Sequence, residues 1–128
     1  MGEPGKSIMA HSSTFIWIHS DWTTWEKEPL ITRESKKKIY QYLFQEFTAC
    51  GCIVRIINGS PDEVHCLFLF NPKKSLDDII KSVKGATSHR INQENLTSGK
   101  FAWQKSYHAC SISETFLEKV TREINKLK

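Results

Sequence analysis

The chain has 128 residues, 39% of them hydrophobic and 25% charged, which fits one globular domain and excludes a disordered or fibrous chain. Eighteen basic residues against fourteen acidic ones leave a net charge of +4, which permits nucleic acid as a partner without demanding it. No apolar run approaches the roughly 18 residues a membrane span needs, and no charged-then-apolar leader precedes a cleavage site, so a cytoplasmic protein with no membrane partner is expected.

Residues 1–12 are polar and punctuated by Gly and Pro, and read as a loose N-terminal arm; residues 13–128 read as a single domain. Thr14 to His19 is β-branched and aromatic and predicts a first strand, with Phe15, Trp17 and His19 on one face. Ser20–Leu30 reads as a loop carrying Trp22 and Trp25. Thr32 offers a cap to a helix in which Ile39, Leu43 and Phe47 recur at helical spacing, and Gly51 closes it as a left-handed residue would. Cys52–Asn58 predicts a second strand, residues 58–62 a turn, and Glu63–Phe70 a third strand antiparallel to the second.

Ser75 caps a second helix, whose buried stripe is Leu76, Ile79, Ile80, Val83 and Ile91. A fourth strand is expected near Tyr107–Cys110. Ser113 then caps a third helix with a stripe of Phe116, Leu117, Val120, Ile124 and Leu127. The order β-α-β-β-α-β-α predicts an α+β fold: a ferredoxin-like split βαβ sandwich with an antiparallel sheet and an added C-terminal helix.

Cys50-x-Cys52 lacks the two-residue gap of zinc knuckles, and Cys52 and Cys66 lie in strand-like runs where a thiol acts as a small buried hydrophobe. A reducing compartment follows. Strand alternation places Glu63 and His65 on one face, roughly 7 Å apart at Cα, a spacing at which the pair can bite one divalent ion. Two ligands do not make a site, and taken alone the pair reads first as polar residues on a half-exposed strand. His19 is the nearest third donor and is read as solvated. No Gly-rich phosphate loop, Gly-x-Ser-x-Gly elbow or His-Glu-x-x-His motif is present.

Lys81, Lys84 and Arg90 lie away from the apolar stripe of the second helix, with Ser88 nearby. Lys100 and Lys105 then interleave with Phe101, Trp103 and Tyr107. Cations for phosphates and rings for bases fit single-stranded or looped nucleic acid; a solvated face over core aromatics is the competing reading.

The run Ile57-Asn58-Gly59-Ser60-Pro61-Asp62-Glu63-Val64-His65-Cys66-Leu67 resembles the NGxPDHVHxL segment of the single-tyrosine transposases of the smallest bacterial insertion sequences, with their REP-associated relatives. These are HUH endonucleases, named for two histidines flanking a hydrophobic residue. Gly99-Lys100-Phe101-Ala102-Trp103-Gln104-Lys105-Ser106-Tyr107 resembles the family's GKFxWQxGY block. Lys84-Gly85-Ala86-Thr87-Ser88 and Ser111-Ile112-Ser113 match in order, and the resemblance runs from about Phe15 to the end.

The resemblance implies a protein of DNA transposition and recombination that acts on single-stranded hairpin DNA as a homodimer. It also implies a Mg²⁺ or Mn²⁺ ion held by the two histidines and a Gln of the last helix, and a Tyr on that helix that attacks the scissile phosphate. Carried over by position, His65 is the second histidine and Glu63 replaces the first. Glu123 stands at the tyrosine position and Leu127 at that of the Gln. The expectation is a transposase-like DNA-binding protein without tyrosine-mediated cleavage. A metal-dependent nicking enzyme with a rebuilt site is the alternative. An interaction module that has lost DNA and uses exposed Trp22 and Trp25 is the second.

Overall fold

The computed structural model of the chain describes residues 15–128, so the arm expected at residues 1–12, and Thr14, lie outside the described residues. Strand β1 (Trp17–Thr23) leads through a 3-10 turn (Trp25–Lys27) to helix α1 (Arg33–Ala49). Strands β2 (Ile53–Ser60) and β3 (Glu63–Leu69) form a hairpin, followed by helix α2 (Leu76–Gln93). Strand β4 (His108–Ile112), a second 3-10 turn (Glu114–Phe116) and helix α3 (Leu117–Asn125) complete the order. The sheet order is β2-β3-β1-β4 and every neighbouring pair is antiparallel, as a ferredoxin-like α+β fold requires.

Local signals act where the sequence places them. The Thr32 side chain accepts from the Ser35 amide at 3.1 Å and the Ser75 side chain from the Asp78 amide at 3.0 Å, each satisfying an orphan donor at a helix start. Gly51 ends α1 at φ +80°, and a Cβ there would also meet Asn71 Nδ2 at 2.5 Å, the group that caps the Cys50 carbonyl. In the hairpin, a Cβ on Gly59 would stand 2.0 Å from the Glu63 carbonyl oxygen, so only glycine lets the two strands close.

Helices α1 and α2 bury their apolar stripes against one face of the sheet. Ile39, Leu43 and Phe47 meet Ile18, Val64, Cys66 and Phe68, with Ile79, Ile80, Val83 and Ile91 from α2. The Phe47 and Phe68 rings lie 4.5 Å apart. Each such large side chain contributes about 1.5–3 kcal/mol through burial. Cys50, Cys52 and Cys66 are buried free thiols, and Cys110 is exposed.

Three expectations are corrected. The first strand continues through Ser20–Thr23, which the sequence reads as loop. Ser20 is buried and its hydroxyl donates to the His108 carbonyl at 2.9 Å, so a polar residue is satisfied inside the sheet. Trp22, expected to be exposed, is a core residue edge-on to Trp103, while Trp25 stays 44% exposed. Ser113 caps the 3-10 turn rather than α3, and that tighter turn leaves Phe116 exposed, with Ile124 the fully buried position of α3.

Candidate functional site

The second face of the sheet carries the chemistry. Side chains alternate along β1 and β3, so Ile18, Ser20 and Trp22 face the helices while His19 and Asp21 face away beside Glu63 and His65. Asp21 stands directly across from His65 on β3 and from His108 on β4. His19 Nε2 lies 2.9 Å from His65 Nδ1, and His65 Nε2 lies 3.2 Å from Glu63 Oε1. The donor atoms of His19, Asp21 and His65 all fall within 4.8 Å of one another, a group able to hold a metal ion.

Burial pulls the His19 pKa below the ordinary histidine value, and the charge of His65 pulls it further. The Asp21 and Glu123 carboxylates oppose that drop. Neutral imidazole is the form that ligates metals, so the site favours the species an ion needs.

Helix α3 lies over this face. A bulge between Val54 and Ile56 turns Arg55 toward it, and Arg55 Nε donates to Thr121 Oγ1 at 2.8 Å. Asn58, paired across the hairpin with His65, donates to the carbonyls of Ile124 (2.9 Å), Asn125 (3.2 Å) and Leu127 (2.9 Å). These bonds satisfy the last carbonyls of the helix. They set Glu123 where its charge is felt at His19, although its side chain is exposed. Leu127 is half-buried and meets the sheet through its carbonyl.

A cleft of about 840 Å³ opens on the helix side, between α2 and residues 100–107. Of the seven residues expected to touch DNA, Lys81, Lys84, Ser88, Lys100, Trp103 and Lys105 line it. Two of these are committed elsewhere. Lys84 is 8% exposed and its ammonium donates to the carbonyls of Gln104 (2.6 Å), Lys105 (3.0 Å) and Ser106 (3.0 Å). Burial holds its pKa below the ordinary lysine value. Trp103 is buried and donates to Thr87 Oγ1 at 3.0 Å. Lys81 pairs with Asp77 at 3.0 Å, and Tyr107 donates to the same carboxylate. Arg90 lies outside the cleft, stacked 3.7 Å from the Tyr42 ring centre and bonded to Gln45.

The residues singled out from the sequence thus divide between two places. His65 belongs to the metal-capable cluster with Glu63 against it, Glu123 acts on it electrostatically, and the cationic set apart from Arg90 gathers at the cleft. Asp21 is the residue sequence reasoning missed; the signal was the continued His19-x-Asp21 alternation, masked by the loop-like composition of Ser20–Thr24. His89 and Asn92 are further cleft residues it missed.

A ferredoxin-like antiparallel sheet with a metal-capable histidine–carboxylate cluster on one face and a cleft lined by lysines on the other defines the structural class. The family is narrower than that class. Residues 12–126 match the model of the family described as "Transposase IS200 like", and the chain belongs to that family.

Among solved structures, the chain is similar to a protein from Deinococcus radiodurans R1 described as a transposase, with 21% identity and a TM-score of 0.69, covering 98% of this chain and 96% of that one. It is also similar to a REP-associated tyrosine transposase bound to a REP hairpin, with 9% identity and a TM-score of 0.61, covering 99% of this chain and 70% of that one. At these identities the likeness is one of fold. No curated protein matches the chain. No described helix is long and apolar enough to cross a membrane.

Proposed function

We propose that this member of the transposase family binds single-stranded or hairpin DNA and does not cleave it through a tyrosine. The reading rests on the last helix: carried over from the family's pattern, Glu123 of α3 falls where the tyrosine would stand, and its carboxylate acts electrostatically on His19. A carboxylate attacking a phosphodiester forms a labile mixed anhydride, and its charge repels the DNA. Two features support binding. Lys100 and Lys105 are exposed residues of the cleft lining, where they can meet phosphates, and a protein of similar fold has been solved bound to a REP hairpin. Lys81 and Ser88 join that surface, while Lys84 and Trp103 shape it from within. The protein acts in the cytoplasm, as a homodimer.

The proposal includes a divalent ion, Mg²⁺ or Mn²⁺ by family expectation. Two imidazoles and a carboxylate within reach of one another fit such an ion, which when bound polarises a phosphate oxygen. That cluster is also the observation favouring the alternative, a metal-dependent nicking enzyme with a rebuilt site.

Fluorescence anisotropy with a labelled hairpin from the flanks of its own gene tests binding, in EDTA and across a salt series. The expected result is salt-dependent binding, with Lys100→Ala and Lys105→Ala each lowering the salt slope by about 1. Binding to no oligonucleotide at low salt would replace this reading with that of a protein-interaction module.

A further inference from the structure

We infer that the ion site of this chain spans β1 and β3, with His19, Asp21 and His65 as its ligands and Glu63 outside the coordination sphere, holding His65 from behind. The site takes a transition ion such as Mn²⁺, Co²⁺ or Zn²⁺ in preference to Mg²⁺. This deepens the metal reading above and stands apart from the DNA reading.

The two nitrogens of the His65 ring face different partners. His65 Nδ1 faces His19 Nε2 at 2.9 Å, while His65 Nε2 faces Glu63 Oε1 at 3.2 Å. The two nitrogens of an imidazole point apart, so an ion on Nδ1 leaves Glu63 on the far side of the ring. Glu63 then accepts the Nε2 proton, which fixes the tautomer and leaves the Nδ1 lone pair toward His19. A carboxylate behind a ligating histidine is the usual second partner at metal sites. The residue at the first motif position has therefore exchanged ligation for positioning, and the missing nitrogen is supplied by β1.

The spacing fits an ion with little movement. Two nitrogens bound at about 2.1 Å stand about 3.0 Å apart at a right angle and about 3.4 Å apart in a tetrahedron. The His19–His65 separation of 2.9 Å is close to the first value. Asp21 completes the set from the position directly across from His65, and its oxygen lies within the same 4.8 Å cluster. Its one ion-pair neighbour among the described residues is His108, at 3.9 Å and with a side chain 83% exposed. That leaves a half-buried carboxylate loosely compensated. Two imidazoles and one carboxylate, with further positions open, are donors for first-row transition ions; Mg²⁺ prefers oxygen and water.

The test uses the full chain stripped of metal with EDTA and titrated with Co²⁺, read by visible absorption, and with Mn²⁺, read by electron paramagnetic resonance. One ion per chain is expected. His19→Ala, Asp21→Asn and His65→Ala should each weaken binding by about 100-fold or more, whereas Glu63→Gln should keep the stoichiometry and the Co²⁺ band shape with a loss of about 10–100-fold. Thermal unfolding in EDTA checks each fold, and His19→Gln serves if the alanine variant does not fold.

Three results would overturn the inference. One is unchanged binding in His19→Ala and Asp21→Asn with loss in Glu63→Gln, which places the ion on Glu63 and His65. Another is no binding by the native chain at millimolar Co²⁺, which leaves a plain hydrogen bond between the histidines. The third is displacement of Co²⁺ by equimolar Mg²⁺, which overturns the ion class. Hairpin binding in EDTA is read separately, so either proposal can fail alone.

Discussion

The two faces of the sheet are built from the same strands by the same alternation, yet they hold different kinds of residue. Toward α1 and α2, β1 and β3 present Ile18, Trp22, Val64, Cys66 and Phe68, all but closed to solvent. Toward α3 the same strands present His19, Asp21, Glu63 and His65 with Leu67 buried beside them, and α3 itself buries Ile124. Fold stability resides in the first face, and the second is free to vary its chemistry. The difference explains how a scaffold of this family can keep its core while the chemistry of its second face varies.

Substitutions on the two faces put that contrast at risk. Phe68→Ala opens a void against Phe47 and should cost about 3–5 kcal/mol in urea unfolding. His65→Ala, on the same strand but the other face, should cost under about 1 kcal/mol without metal. Equal losses would break the comparison.

Lys84→Met comes next, at about 2–4 kcal/mol, because it strips the donor from three carbonyls of residues 104–106. It should also weaken hairpin binding by reshaping the cleft, measured in the same anisotropy assay. Asn58→Ala frees the end of α3 and should cost about 1–2 kcal/mol. Amide exchange should speed up in α3 and stay unchanged in α2.

Tyr40→Phe should be the smallest change. The Tyr40 hydroxyl is buried among the described residues without a partner, so its removal should be neutral or slightly stabilising at pH 7. Burial raises its pKa from 10.0 to about 12. The folded chain therefore holds that proton while the unfolded chain releases it, and stability falls as pH rises from 10 toward 12. The variant should lose less stability over that range in denaturation curves at the two pH values.

Much of the fold was readable because local physics and tertiary packing agree. Thr32, Ser75 and Gly51 act at the helix ends where their side chains or φ preferences point. The Val83 and Ile91 stripe is buried as its period requires. The second half of β1 was not readable. Ser20 and Asp21 look like loop residues, and only the sheet reveals a hydroxyl satisfied by a neighbouring strand and a carboxylate turned to the far face.

Lys84 misled for a similar reason. It borders the apolar stripe, and the carbonyls that receive its charge arrive from a segment about 20 residues later, which no helical period foretells. Glu63 and His65 were visible as a pair on one strand. Their relation to His19 depends on the register of β1 against β3, which fixes who faces whom.

A DNA-binding member of the transposase family whose last helix offers no tyrosine should hold its DNA without cutting it. Incubation of the native chain with end-labelled hairpin DNA and Mn²⁺, resolved on a denaturing gel, tests it most directly. Intact DNA and no covalent adduct are expected in a sample that shifts the same DNA on a native gel. A metal-dependent nick or adduct, abolished in His65→Ala, would contradict it.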